Sequence, residues 1–194
     1  SIRIPASFNG LIGLKPTRGR IPVGPGSFRG WQGASVQFAL TKSVRDTKRL
    51  LYHMQTCQME SPFILPKLSK DSLDQPVRPL KIAFLTVSPI GGKVSESAIT
   101  ATKKAAKALE SLGHHVHEIT YQPLNGIEAM QSYYIMNSVE TAAMFDGIEA
   151  GLGRQMTLED MELMTWAIFQ SGQKIPAKVY SKVLTQWDLS LIHI

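Results

Sequence analysis

The chain has 194 residues, 43% hydrophobic and 19% charged, with a net charge of +6. That length suits about one domain, and the composition is globular rather than disordered. No run of about 18 apolar residues exists, which excludes a membrane-spanning helix. The lone cysteine, Cys57, excludes an internal disulfide and fits a reducing cytoplasm.

A basic balance admits nucleic-acid or membrane partners. Here Lys and Arg are scattered; only Lys103, Lys104 and Lys107 cluster, at the spacing of a solvated helix face. Neither kind of partner is expected. Residue 1 is Ser rather than Met, so the chain is not expected to open at a translation start. Leu189-Ser190-Leu191-Ile192-His193-Ile194 matches what a common transposon-based sequencing adapter encodes in frame, and these six residues are set aside as an artefact.

In chain order, Ser1–Phe8 reads as a short helix and Leu11–Leu14 as a short buried strand. Gly10, Gly13, Gly19, Gly24, Gly26, Gly30 and Gly33 punctuate residues 1–33. Such spacing forbids a long helix and suits a packed loop system with close backbone approaches. Ser43, followed three residues on by Asp46, caps a helix ending near Cys57, with Val44, Thr47, Leu50, Leu51 and Met54 on one face. Pro62, Pro66, Pro76 and Pro79 mark residues 60–79 as a surface connection.

A strand over Leu80–Thr86, a helix over Glu96–Leu112 capped by Ser95 and stopped by Gly113, and a strand over His115–Tyr121 form a βαβ unit. The length of the connection predicts parallel strands. Helices follow over Ile127–Ala150, from Thr157 to about Gly172, and over about Pro176–Trp187.

The opening is the most specific stretch: Ser1-Ile2-Arg3-Ile4-Pro5-Ala6, then Asn9-Gly10-Leu11-Ile12-Gly13-Leu14-Lys15-Pro16-Thr17, then Arg18-Gly19-Arg20-Ile21-Pro22. This run resembles the C-terminal part of the fingerprint of the amidase signature family. Residues 24–35 resemble the bacterial branch labelled 6-aminohexanoate-cyclic-dimer hydrolase. Asn9 stands where many members have a cysteine.

The resemblance implies an α/β fold, a mixed twisted sheet surrounded by helices, incomplete here. Residues 1–188 would form a partial domain: a motif and loop region over 1–58, the βαβ unit over 80–121 and a helical region over 127–188. The whole protein would be more than twice as long. The implied activity is hydrolysis of a carbon–nitrogen amide bond in a small molecule, through an acyl-serine intermediate and without cofactor or metal. A homodimer is compatible with it.

Ser1 would be the nucleophile, and its backbone N–H would contribute to the oxyanion hole. Serine needs an activating base. In the family that base is a lysine, neutral because burial disfavours its charge, acting through a second serine on a cis peptide; both lie N-terminal to the nucleophile. No lysine here takes that role, Lys15 included. Oxyanion donors are each worth about 3–4 kcal/mol, so the chain alone is expected to be inactive. Arg3 would brace the loop through an upstream acid, with a clamp on a substrate carboxylate as the sharper alternative. Pro5, Gly10, Gly13, Lys15, Pro16 and Gly19 would be architectural.

Three other readings compete. One is an amidotransferase subunit passing ammonia toward a charged tRNA. Another is a non-catalytic remnant acting as a binding module. The third is an N-terminal nucleophile hydrolase using the α-amine of Ser1; its stacked antiparallel sheets do not suit a chain that is helical after residue 122.

His114, His115 and His117 invite a metal site, with His115 and His117 on one strand face and Glu118 on the other. No completing ligand is near in sequence, so surface or edge histidines are expected. Tyr133, Tyr134 and Asn137 read as helix residues, with pocket lining as the sharper alternative. Cys57 reads as a half-buried thiol, and the methionines as packing elements.

Overall fold

The computed structural model describes residues 2–25, 29–120 and 125–190. Two compact units divide near residue 76. In the first, α1 (Arg3–Phe8) leads to β1 (Ile12–Gly13), which pairs antiparallel with β2 (Leu40–Thr41), Ile12 opposite Thr41 and Gly13 opposite Leu40. A 3₁₀ turn covers Gly30–Gly33; α2 spans Val44–Met54 and α3 spans Lys70–Asp74.

The helix α1 stops in a Schellman motif. The Leu11 N–H donates to the Ala6 carbonyl (2.8 Å) and the Gly10 N–H toward Ser7 (3.5 Å). Gly10 takes the left-handed φ of +62° that the motif needs. At the start of α2 the Ser43 hydroxyl accepts from the Asp46 N–H at 3.1 Å, as its position predicts. Thr47 and Leu51 are buried beneath α2, and the Thr47 hydroxyl lies 2.6 Å from that of Thr41. Val44, expected on the buried face, is 62% exposed. As the first helical residue it precedes the turn that meets β2, so periodicity places it on the face while position leaves it outside.

Residues 60–79 are more than a surface connection. Gln55, 4% exposed, clasps Leu68 through both its amide atoms at 2.7 Å. The Arg20 guanidinium donates to the Pro66 carbonyl. Ser69 then caps α3 by accepting from the Ser72 N–H. The prolines hid a segment tied down by side chains from elsewhere.

In the second unit, β3 (Lys81–Phe84), α4 (Glu96–Ser111) and β4 (His115–Glu118) form the expected βαβ element. The strands are parallel, with Lys81 opposite His115 and Phe84 opposite Glu118. They are shorter than predicted, and Tyr121 lies outside the described residues. Ser95 caps α4. Gly113, at φ +86°, closes it with bonds from Gly113 N–H to Glu110 and from His114 N–H to Leu109. Lys103, Lys104 and Lys107 are exposed, as their spacing implied.

Next come α5 (Gly126–Leu152), a 3₁₀ turn at Leu158–Asp160, α6 (Leu163–Gly172) and α7 (Ala177–Ser190). Ala142, Phe145 and Phe169 form the core of this helical part, with Met156, Met161 and Trp166 packed against it. The predicted helix from Thr157 is broken at Met161, which is extended (φ −155°, ψ 165°). The Thr157–Asp160 capping box closes only one turn, and the packing of Met161 on the core takes the backbone out of helical geometry. Leu189 and Ser190 continue α7, whereas 191–194 lie outside the described residues.

The crossing of α5 and α6 depends on a missing side chain. A Cβ on Gly172 would stand 1.9 Å from the Ser138 carbonyl oxygen and 2.8 Å from Ala142 Cβ. Only glycine lets the two backbones approach so closely. The Tyr180 hydroxyl donates to Glu140 and joins α7 to α5, while Tyr133 packs near Trp187 with ring centroids 6.5 Å apart.

Candidate active site

Ser1, the predicted nucleophile and oxyanion donor, lies outside the described residues. The residues that follow it in the chain are packed and hydrogen-bonded. Ile2, the next residue, is 6% exposed, and its carbonyl accepts from the Ala6 N–H at 3.1 Å. Ala6 is also buried. These two residues are the inner face of α1, and they rest on β1 at Gly13. A Cβ there would stand 2.6 Å from Ala6 Cβ and 2.9 Å from the Ile2 carbonyl oxygen. The motif glycine is thus a packing requirement, and the residue after Ser1 is held by burial, a backbone hydrogen bond and direct contact with a strand.

Arg3 is exposed on the first turn of α1, and no acid among the described residues pairs with it. Pro5 sits in that same turn, where its missing N–H costs nothing. Lys15 donates to the Pro16 carbonyl at 2.9 Å.

Two further glycines of the segment, Gly19 and Gly33, pack against Phe63. Gly19, at φ +81°, would place a Cβ 2.7 Å from the Phe63 carbonyl oxygen; Gly33, at φ +87°, would place one 2.6 Å from the Phe63 ring. The Arg18 guanidinium lies 4.9 Å from that ring's centroid, a cation–π contact. Arg18, Gly19, Gly33, Ser35, Gln58 and Phe63 line a cavity of about 20 Å³, room for about one water.

Beside this cavity the chain makes a left-handed turn. Trp31 (φ 51°, ψ 50°) and Gln32 (φ 52°, ψ 29°) precede Gly33, so three consecutive residues have positive φ. For non-glycine residues this costs about 1–2 kcal/mol each, and such strain clusters at functional sites. The flanking Gly30 and Gly33 marked a turn, but nothing in Trp-Gln announces its hand.

The remaining candidates scatter. His114 Nδ1 accepts from the Leu80 N–H at 3.2 Å, which closes the end of the β3–β4 pair and places any neutral-ring proton on Nε2. His115 and His117 are exposed on one strand face. Among the described residues no three His, Cys, Asp or Glu gather as a metal site. Tyr133 and Tyr134 are half exposed, and the Asn137 Oδ1 accepts from the Thr141 hydroxyl at 3.3 Å. Cys57 is exposed rather than half-buried, because α2 has ended before it. Met136, Met156 and Met161 do pack, whereas Met130, Met144 and Met164 face outward.

A short helix packed on a glycine strand, followed in the chain by a loop system, a parallel βαβ element and a helical region, makes an α/β chain. The Amidase family model matches residues 1–186, and the chain belongs to the amidase signature family. A lipoamidase of Enterococcus faecalis is 34% identical over 178 residues, which is 92% of this chain and 22% of that protein. A 6-aminohexanoate-cyclic-dimer hydrolase of Pseudomonas sp. (strain NK87) is 28% identical over 187 residues, 93% of this chain and 38% of that protein. The solved structure of a 6-aminohexanoate cyclic dimer hydrolase complexed with substrate superposes with a TM-score of 0.87. Its identity is 26%, and the match covers all of this chain and 41% of the other. The chain therefore spans well under half the length of these relatives. No described helix is long and apolar enough to cross a membrane.

Proposed function

We propose that the protein carrying this chain hydrolyses a carbon–nitrogen amide bond in a small molecule, with Ser1 as the nucleophile. The observation that carries the reading is the fixing of Ile2, which holds the position next to Ser1 against β1 through Gly13. A nucleophile must be presented in one geometry, since small misplacements forfeit much of the gain from orientation. Placing the residue after Ser1 in a packed, hydrogen-bonded corner meets that need.

The chemistry runs as acyl transfer. The Ser1 Oγ gives up its proton to a base and attacks the amide carbonyl. The C–N bond breaks, and ammonia or an amine departs with a proton. Water then cleaves the acyl-serine to a carboxylic acid and free serine. The base would be a neutral lysine acting through a second serine, both N-terminal to Ser1. The Ser1 N–H would be one donor to the oxyanion, where charge develops and preorganised donors count most. Arg3, exposed on the first turn of α1, would brace the loop by pairing with an acid of the same N-terminal region. The step needs neither metal nor cofactor.

The test is the intact enzyme with Ser1→Ala, assayed for ammonia or amine release from simple and cyclic amides. Removing a member of such a relay costs several orders of magnitude in kcat. Retention of wild-type hydrolysis by the variant would remove Ser1 from the reaction.

A further inference from the structure

Within the first unit, α2 and α3 flank an open groove of about 710 Å³, inside the range of small-molecule sites. Arg45, Lys48, Arg49 and Tyr52 line one wall, spaced i, i+3, i+4, i+7 along α2 and so on one side of it. Lys70, Leu73 and Asp74 of α3 face them. We propose that this groove binds an organic polyanion built as a flat ring with a phosphate chain, of the nucleoside-phosphate class. The proposal does not rest on the amidase chemistry.

Three observations carry it. First, the walls are fixed in advance. Gln55 clasps Leu68 through two hydrogen bonds of 2.7 Å, Ser69 caps α3, and Lys48 pairs with Asp74 at 2.5 Å. A pre-formed site avoids the ordering cost that weakens binding.

Second, the charge is unbalanced. Four cations line the groove against a single carboxylate. Lys48 is engaged by Asp74, and Arg45 approaches Asp46 at 3.4 Å. Arg49 and Lys70 have no hydrogen-bonded acid among the described residues. A guanidinium and an ammonium in one groove suit a phosphate chain, the first by its planar fork and the second as a point charge.

Third, the groove is larger than a bare anion needs and has an unpolar portion. Tyr52 is 39% exposed and meets His53 edge-on, with centroids 5.1 Å apart and planes at 81°, so the two rings are not stacked face to face. Together with Leu73, Tyr52 offers a surface for a flat ring. Inorganic phosphate would leave that surface unused.

Calorimetric titration of the intact protein carrying this chain with ATP, inorganic pyrophosphate and adenosine tests this, with folding of each variant followed by circular dichroism. ATP is expected to bind at least ~10-fold more tightly than either partial probe, which is about 1.4 kcal/mol. Arg49→Gln combined with Lys70→Gln should weaken ATP at least ~10-fold, through loss of two charge-assisted contacts. Tyr52→Leu should weaken ATP and leave pyrophosphate unchanged; this ratio stands even if the double variant fails to fold. Absence of ATP binding at millimolar concentration overturns the proposal. So does binding indifferent to the double variant, or pyrophosphate binding as tightly as ATP, which would mean an adventitious anion only.

Discussion

Gly13 and Ile2 are so closely apposed that a Cβ on the glycine would stand 2.9 Å from the Ile2 carbonyl oxygen. Gly13→Ala must therefore push α1 off β1. Overpacking of this kind costs about 1–3 kcal/mol. Chemical denaturation of the variant should show that loss. Amide hydrolysis by the intact enzyme should fall further than the stability change explains, because the displaced residue adjoins Ser1. A variant with unchanged stability would refute the packing role.

Two glycines on the α5–α6 pair should respond with opposite sign. Gly172→Ala would drive a methyl into the Ser138 carbonyl, 1.9 Å away, and should destabilise by 1–3 kcal/mol or more, roughly the overpacking range. Gly147, mid-helix in α5, has nothing within 4 Å of its would-be Cβ. Gly147→Ala should stabilise by about 0.4–1 kcal/mol through helix propensity and unfolded-state entropy. Paired thermal melts read both.

Ser138 is wholly buried, and its hydroxyl lacks a hydrogen-bond partner among the described residues. An unmade bond in the interior costs about 1–3 kcal/mol. Ser138→Ala removes the hydroxyl and keeps the volume close to that of serine, so its melting temperature should match or exceed the wild type. A clear drop would mean that the hydroxyl has a partner after all.

Asp160 accepts two bonds from Arg154 (2.7 and 2.8 Å) and one from the Thr157 N–H (2.8 Å). The Arg154 hydrogen bonds, then the Thr157 N–H, hold its carboxyl well below the ordinary 3.8. A group depressed on folding contributes stability that is fully present above its unfolded pKa and is lost as pH falls toward the folded value. Asp160→Asn should therefore be less stable than wild type at pH 7. The gap should close as pH drops below about 4. A gap independent of pH between 7 and 2 would argue against the ion pair as its source.

Much of this molecule was legible because local rules and tertiary packing agreed. Ser43, Ser95 and Gly113 mark helix ends by side-chain and backbone chemistry that acts within one turn, and each does what its position predicts. The motif glycines read as architecture, and Gly13 and Gly19 prove to be contacts with named neighbours. The failures lie where distant residues decide. Met161 breaks a predicted helix because of a core that the local pattern does not reveal. Gln55 and Phe63 organise a segment whose prolines suggested only a connection. The left-handed Trp31–Gln32 pair has no compositional sign, because neither residue favours that conformation. At the site, the resemblance supplied Ser1 and Arg3. What their surroundings add is the packed corner formed by Ile2, Ala6 and Gly13.

The proposed hydrolysis turns on the hydroxyl of Ser1 as the attacking group. Treating the intact enzyme with a fluorophosphonate and mapping the adduct by mass spectrometry tests it most directly. A single active-site adduct on the Ser1 side chain is expected, lost in Ser1→Ala together with amide hydrolysis. An adduct on another serine, with Ser1 unmodified and the Ser1→Ala enzyme still active, would contradict it.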